Sequence, residues 1–317
     1  MKRFTGFLLI VFIFFGTACE RLPAAGIGKP TVTDPDTSVP TDTSTPEETA
    51  TPENPPVPPP DYAEIAKRLL TPEHDRVYVG MADLINPSDY RYFDDPGSIH
   101  PASTIKTQIM EYALLQIQAG NGSLEEIYDG FTLKYLIERM IQVSCNDSTG
   151  SLIARYGRVN IDNWLQESYK HTRLNSDWRT YSKTDGRYNE TSVEDTIICL
   201  ERIWDNRETE PYSTMLNIMF GTTFSREKIP AATEGIEGVK VANKTGSFID
   251  GADTADHDMA IVVKYSENGE IEFAYALTFY SFSPYVESTY SAARPGIVAM
   301  ARDIYEQVAE FTDTDLS

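Results

Sequence analysis

The sequence predicts an α+β domain, α/β in the broad sense: an antiparallel sheet flanked by N- and C-terminal helices, with an all-α subdomain inserted. Three observations carry this. Strand-like runs lie near both ends of the domain, at 76–82 and 90–93 early and at 259–265 and 271–279 late. Between them the apolar residues recur at helical spacing, as at Leu133, Leu136, Ile137, Met140 and Ile141. The two late strands are joined by Ser266-Glu267-Asn268-Gly269, and Asn-Gly between strand-like runs is a hairpin signal. Strands at both ends and helices between them put the termini in one sheet and a cleft where the two parts meet.

Taken in order, the chain opens with Lys2-Arg3, an apolar run over 7–15 and then Gly16-Thr17-Ala18-Cys19. That run is shorter than the ~20 helical residues a bilayer requires, so it reads as an export signal. The small residues before Cys19 resemble a bacterial lipobox, with Gly16 where that motif usually has Leu. Diacylglyceryl attachment at Cys19 is the expectation and ordinary signal-peptidase cleavage the alternative. Residues 20–60 are rich in Pro, Thr, Ser, Asp and Glu and end in Pro55-Pro56-Val57-Pro58-Pro59-Pro60, a composition that cannot bury enough surface to offset its ordering entropy. They form a tether, and 61–317 form the domain. The expected location is therefore the outer face of a bacterial membrane, reached through the lipid anchor alone, or the medium if the anchor is lacking.

Within the domain, 61–70 reads as a short amphipathic helix, followed by the two early strands. A helix opens after Ser103 and stops at Gly120-Asn121-Gly122. The next has Thr132 at its N-cap and delivers Ser144 at its end. Further helices are expected near 150–156, 159–168, 192–204 and 211–220. The run Ile271, Phe273, Tyr275, Leu277 and Phe279 alternates with Glu272, Ala274, Ala276 and Thr278, which reads as a half-buried strand. Pro295 starts a last helix with Ile297, Met300, Ile304, Val308 and Phe311 on one side.

At 317 residues and 41% hydrophobic the chain can build a real core in one or two domains, and a net charge of -21 argues against a nucleic-acid partner. No cofactor is implied. His74, His100, His171 and His257 lack metal-ligand spacing, so no metal is expected, and His257 between two aspartates reads as a strand-end surface residue. Cys145 and Cys199 read as two free buried thiols. The protein is expected to be a monomer.

Three short patterns occur in one order: Ser103-Thr104-Ile105-Lys106, Ser144-Cys145-Asn146 and Lys244-Thr245-Gly246. Ser225-Arg226-Glu227-Lys228 and Ser266-Glu267-Asn268 imitate the first two, but the latter is a turn and the former leaves no room before Lys244 for a helical region. In the Ser103 series, serine and lysine are one helical turn apart, which puts them on one face. A serine hydroxyl needs a neighbouring base to become a nucleophile, and Lys106 serves if a dry cleft and a second cation, Lys244, lower its pKa. Ser144 would relay a proton to the leaving nitrogen, and the Asn146 amide would orient Lys106 and the substrate's own amide. Lys244, Thr245 and Ser247 would hold a substrate carboxylate, while Gly246 lets a substrate backbone approach. The backbone N–H groups of Ser103 and Ser247 would form the oxyanion hole.

From about residue 76 to the C-terminus the chain resembles the class A β-lactamase and penicillin-recognising serine hydrolase family. The resembling stretches include Pro101-Ala102-Ser103-Thr104-Ile105-Lys106, Met140-Ile141-Gln142-Val143-Ser144-Cys145-Asn146-Asp147, Lys228-Ile229-Pro230-Ala231, the run from Gly238 to Ser247, and His257-Asp258-Met259-Ala260. One departure bears on chemistry. Class A enzymes carry E-x-x-L-N between the second and third motifs, and its Glu activates the water that cleaves the acyl-enzyme. Here the corresponding stretch reads Thr172-Arg173-Leu174-Asn175-Ser176-Asp177-Trp178-Arg179-Thr180, with Asp177 and Glu190 as the nameable substitutes.

The resemblance implies a serine hydrolase that opens β-lactam rings through a Ser103 acyl-enzyme, with slow deacylation. The alternatives are a D-Ala-D-Ala carboxypeptidase or other peptidoglycan-trimming enzyme, whose substrate is a stem peptide, and a non-catalytic wall or β-lactam binding module. Retention of Ser103, Lys106, Ser144, Asn146 and Lys244 argues against the last.

Overall fold

A computed structural model describes residues 76–85, 91–175, 188–224, 226–250, 253–284 and 294–315. The leader with Cys19, the tether, the helix expected at 61–70, Ser225 and Asp177 lie outside the described residues. In chain order the elements are β1 (Val77–Asp83), β2 (Arg91–Phe93), a 3-10 turn (Ala102–Ile105), α1 (Lys106–Gln118), β3 (Ile127–Tyr128), β4 (Phe131–Thr132), α2 (Leu133–Gln142) and α3 (Asn146–Tyr156). Then follow α4 (Arg158–Ser168), α5 (Val193–Asp205), α6 (Tyr212–Phe220), α7 (Ile229–Ala232), β5 (Val239–Asp250), β6 (Asp253–Tyr265), β7 (Ile271–Pro284) and α8 (Arg294–Asp315).

The helices begin where local chemistry lets them. The Thr132 hydroxyl accepts from the Tyr135 N–H at 3.1 Å, and Ser192 does the same for Asp195 at 3.0 Å, each satisfying an orphan donor of a first turn. The buried stripe of α2 is the one its spacing predicts: Leu133, Leu136, Ile137, Met140 and Ile141. At Ser266–Gly269 the expected hairpin closes, with the Ser266 N–H donating to Glu270 O at 2.8 Å and Gly269 at φ 84°.

The main sheet has five strands in the order β2-β1-β7-β6-β5, and every pairing is antiparallel. β1 from the start of the domain thus pairs with β7 from its end. Both faces are covered. Met259, Ile261, Val263, Ala274 and Ala276 pack into the core shared with the helical subdomain. Their neighbours Ala260, Val262, Phe273, Tyr275, Leu277 and Phe279 pack against α7 and α8 through Ile229, Ile297, Met300 and Ile304.

That arrangement corrects the reading of β7 as half-buried. Its small residues, Ala274 and Ala276, are as buried as its aromatic ones, because the helical subdomain lies close on their side. Alternation of large with small mimics alternation of inside with outside. Close approach also explains Gly80, where a Cβ would stand 2.4 Å from Val193 Cγ1 of α5. Among the described residues neither cysteine is in a disulfide; Cys199 is buried and Cys145 only partly so, which corrects the expectation that both are buried.

Candidate active site

Three segments converge between sheet and helical subdomain: the 3-10 turn with the head of α1, the α2–α3 connection, and the middle of β5. The turn is held by short bonds. Both the Thr104 N–H and the Thr104 hydroxyl donate to Pro101 O, at 3.1 and 2.7 Å, and the Ala102 N–H donates to His100 Nδ1 at 2.9 Å. Ala102 sits at φ 49°, a left-handed conformation that costs an L-residue ~1–3 kcal/mol and concentrates at functional sites. It immediately precedes Ser103.

β5 presses against this turn at Gly246. A Cβ there would lie 2.9 Å from both Pro101 O and the Ser103 backbone nitrogen. The glycine, expected from sequence to admit a substrate backbone, admits the chain's own turn. This close approach brings the Ser103 N–H beside the strand that carries Ser247, as an oxyanion hole made of those two groups requires.

Lys106 is completely buried, and its ammonium donates to Ser144 O at 2.9 Å and Asn146 Oδ1 at 2.7 Å, with a longer contact of 3.4 Å to Ser144 Oγ. Ser144 is held at φ 55°, the second left-handed non-glycine residue of the site. Burial pushes the Lys106 amine down to about 7, against a weak opposing pull from the Cys145 thiol. Lys244 donates to Ser144 Oγ at 3.0 Å and to Thr245 O at 2.6 Å. Burial, then the charge of Lys106, holds Lys244 well below the ordinary lysine range. The lowering expected at Lys106 is present with burial as its cause, whereas the repulsion between the two amines registers at Lys244. Both donate to the hydroxyl of Ser144, which therefore bridges them and is placed to pass a proton from one to the other.

Sequence reasoning missed the groups behind β5. Lys228, which supplies the lysine of the discarded Ser225 pattern, is buried and donates to Thr245 Oγ1, to Ser247 Oγ at 3.3 Å and to His257 O at 2.8 Å. It pairs with Asp256 at 2.6 Å, and Arg294 meets the other oxygen of the same carboxylate at 2.9 Å. His257 lies fully buried in the interior of β6, which corrects its reading as a surface residue. The Ser281 N–H donates to His257 Nδ1 at 3.2 Å, so the ring proton is on Nε2 and is donated to His100 O at 3.1 Å. Burial first, and Lys228 next, keep His257 neutral by pushing its pKa well below the usual histidine value. The register explains the failure: Ser247, Gly246 and Thr245 face Asp256, His257 and Asp258 across the β5–β6 ladder, a pairing that no local spacing announces.

The stretch from Lys170 to Thr172 is pinned from α5. Asp195 accepts from the backbone N–H groups of Lys170, His171 and Thr172 and from the Thr172 hydroxyl, at 2.7–3.0 Å. Glu190 pairs through its backbone with Arg173.

Comparisons with known proteins agree with this architecture. The chain is similar to a β-lactamase from Chitinophaga pinensis, with a TM-score of 0.64 and 18% identity over 78% of this chain and 97% of that one. It is also similar to the TLA-1 extended-spectrum β-lactamase, with a TM-score of 0.65 and 17% identity over 78% and 97% of the two chains. An ancestral class A β-lactamase gives a TM-score of 0.62 and 18% identity over 77% and 97%. No curated protein sequence matches the chain. The profile described as "Beta-lactamase enzyme family" matches residues 62–308, more than half of the sequence. With this match and an α+β fold shared with class A enzymes, the chain belongs to the beta-lactamase enzyme family.

Proposed function

We propose that the protein opens β-lactam rings by acyl transfer to Ser103 and releases the opened product slowly. The supporting observation is the hydrogen-bonded set of Lys106, Ser144, Asn146 and Lys244, directly after the turn that carries Ser103. A Lys106 amine with a pKa of about 7 is free in a large fraction of molecules at neutral pH and takes the Ser103 proton. The hydroxyl attacks the lactam carbonyl, and the N–H groups of Ser103 and Ser247 hold the oxyanion. Ser144 passes a proton to the nitrogen as the ring opens. Thr245, Ser247 and Lys244 take the substrate carboxylate.

Slow release rests on the sequence at 171–175, where Leu174-Asn175 match the end of E-x-x-L-N and His171, not a carboxylate, stands at its first position. Loss of a placed general base costs ~10²–10⁴ in rate. The same feature favours a second reading, a carboxypeptidase acting on D-Ala-D-Ala stem peptides. Both readings place the domain outside the membrane, tethered through Cys19.

Exposing the full chain to benzylpenicillin and following its mass over time tests the proposal. Expected are a rapid adduct on Ser103, a burst followed by a slow steady state, and loss of labelling with at least a ~10³-fold fall in turnover in Ser103→Ala. Fast hydrolysis without a burst refutes slow release, and labelling that survives Ser103→Ala refutes the assignment of the nucleophile. Release of D-Ala from a D-Ala-D-Ala peptide faster than penicillin turnover selects the second reading.

A further inference from the structure

We propose that His100 is a positioning residue for acylation, whose bare Nδ1 holds the strained turn that aims the Ser103 N–H at the oxyanion. This rests on the reading that Ser103 is acylated and that its N–H takes that charge. The observation is the hydrogen bond from the Ala102 N–H to His100 Nδ1 at 2.9 Å. Ala102 is the left-handed residue at φ 49° directly before Ser103. Asparagine and aspartate can hold themselves in that conformation by bonding locally through the side chain, but alanine has no atom with which to do so. Its neighbours must hold it.

Two of them do. On one side stands β5, where a Cβ on Gly246 would lie 3.1 Å from Ala102 Cβ, so the strand backs the methyl group closely. On the other, the His100 ring accepts the N–H two residues on, which is the geometry of an Asx turn with imidazole in place of the carboxamide. The ring is itself fixed. It lies tilted on Phe248 of β5 with centroids 4.1 Å apart and meets Tyr188 edge-on at 5.0 Å. The His100 carbonyl accepts from His257 Nε2 of β6 at 3.1 Å, and the preceding residue, Ile99, exchanges backbone bonds with Thr191 at 2.8 and 2.9 Å. The acceptor is therefore anchored to the sheet before any substrate arrives.

That matters because the Ser103 N–H belongs to the peptide between Ala102 and Ser103, whose direction follows the dihedral angles of Ala102. Without the bond to His100, Ala102 relaxes toward the right-handed region and this peptide turns. An oxyanion donor works by being in place when the charge develops, so a donor that must first rotate into position is worth less.

Ring and acceptor can be separated. His100→Asn keeps an acceptor at the same place and gives up the ring, whereas His100→Phe keeps a ring on Phe248 and Tyr188 and gives up the acceptor. The experiment measures, for the full chain, the second-order acylation constant of Ser103 with benzylpenicillin by mass spectrometry at 20 °C and the Tm by calorimetry. His100→Asn should melt lower than the unmodified protein, because the aromatic contacts are gone, and still acylate nearly as fast. His100→Phe should acylate about tenfold to a hundredfold more slowly, less than the ~10²–10³ that outright removal of an oxyanion donor costs. A ring that only holds the fold predicts the reverse order, with rate following Tm.

Unchanged acylation in His100→Phe, or a folded His100→Asn as slow as His100→Phe, overturns the proposal while leaving Ser103 acylation intact. Should His100→Phe fail to fold, His100→Asn decides alone: near-full rate supports the acceptor, and a tenfold loss overturns it. Absence of an adduct on Ser103 in the unmodified chain defeats the underlying reading instead.

Discussion

Replacing Asn146 by aspartate should move the pH profile of acylation as well as lower it. The Asn146 oxygen stands 2.7 Å from the Lys106 amine, whose pKa burial brings from 10.5 to about 7. At pH 7 about half of the molecules then hold a free amine, against roughly one in 3000 for a lysine at its ordinary value. A carboxylate in place of the amide favours the charged amine, and an opposite charge at this range raises a pKa by about 1–3 pH units.

On the proposed mechanism the free amine takes the Ser103 proton, so acylation would be lost as the pH falls through the pKa of Lys106. The rising limb should therefore move from near pH 7 to between about 8 and 10, which lowers the rate at pH 7 by about fivefold to 500-fold. Loss of the Asn146 N–H donor to substrate costs the same factor at every pH and is thereby separable. Rapid-quench mass spectrometry of the penicillin adduct from pH 5 to 10 reads the limb directly. If both proteins inflect at the same pH and the variant is uniformly slower, Lys106 is not the base.

Gly246→Ala should displace the Ser103 turn, because its Cβ would meet two backbone atoms at 2.9 Å that cannot rotate away. A misplacement of that size costs on the order of a hundredfold in acylation, measurable in the same assay. Glu111→Gln should act on stability. Glu111 is buried, accepts from Arg202 at 2.9 Å, from Tyr212 OH at 3.1 Å and from Tyr169 OH, and its loss of charge strands the guanidinium. The cost is about 3 kcal/mol, at the low end for a broken buried pair because Arg202 keeps some solvent contact, and should lower Tm by roughly 6–12 °C by calorimetry. Ser103 labelling at 20 °C should persist.

What was legible in the sequence was local. The buried stripe of α2, the Thr132 cap and the hairpin at Asn268-Gly269 are each written within a few residues, and the structure has them where the spacing puts them. The order of the three motifs was legible too, and the structure brings Lys106, Ser144, Asn146 and Lys244 within hydrogen-bonding reach. Pairing across the sheet was not. Asp256 and His257 earn their surroundings from β5 and from the Ser103 turn, so their charge and aromatic character looked like surface chemistry. Lys228 was hidden by its resemblance to a motif it does not serve. β7 misled for a related reason, since alanine on one face signals a close helix as readily as it signals solvent.

The pairing of β1 with β7 has a consequence for when reactivity appears during synthesis. Asp83 pairs with Tyr275 and Val77 with Ser281, so the central ladder closes a loop of about 200 residues, and long-range closure of that kind is slow relative to local helix packing. The nascent chain therefore holds Ser103 long before β5 and β7 exist to brace it. Without β5, the turn lacks the strand that presses on it and Lys106 lacks the dry setting that lowers its pKa. A ribosome-bound chain in this sense carries Ser103 in an unfinished setting, and the proposed acylation would await completion of the fold at the C-terminal end.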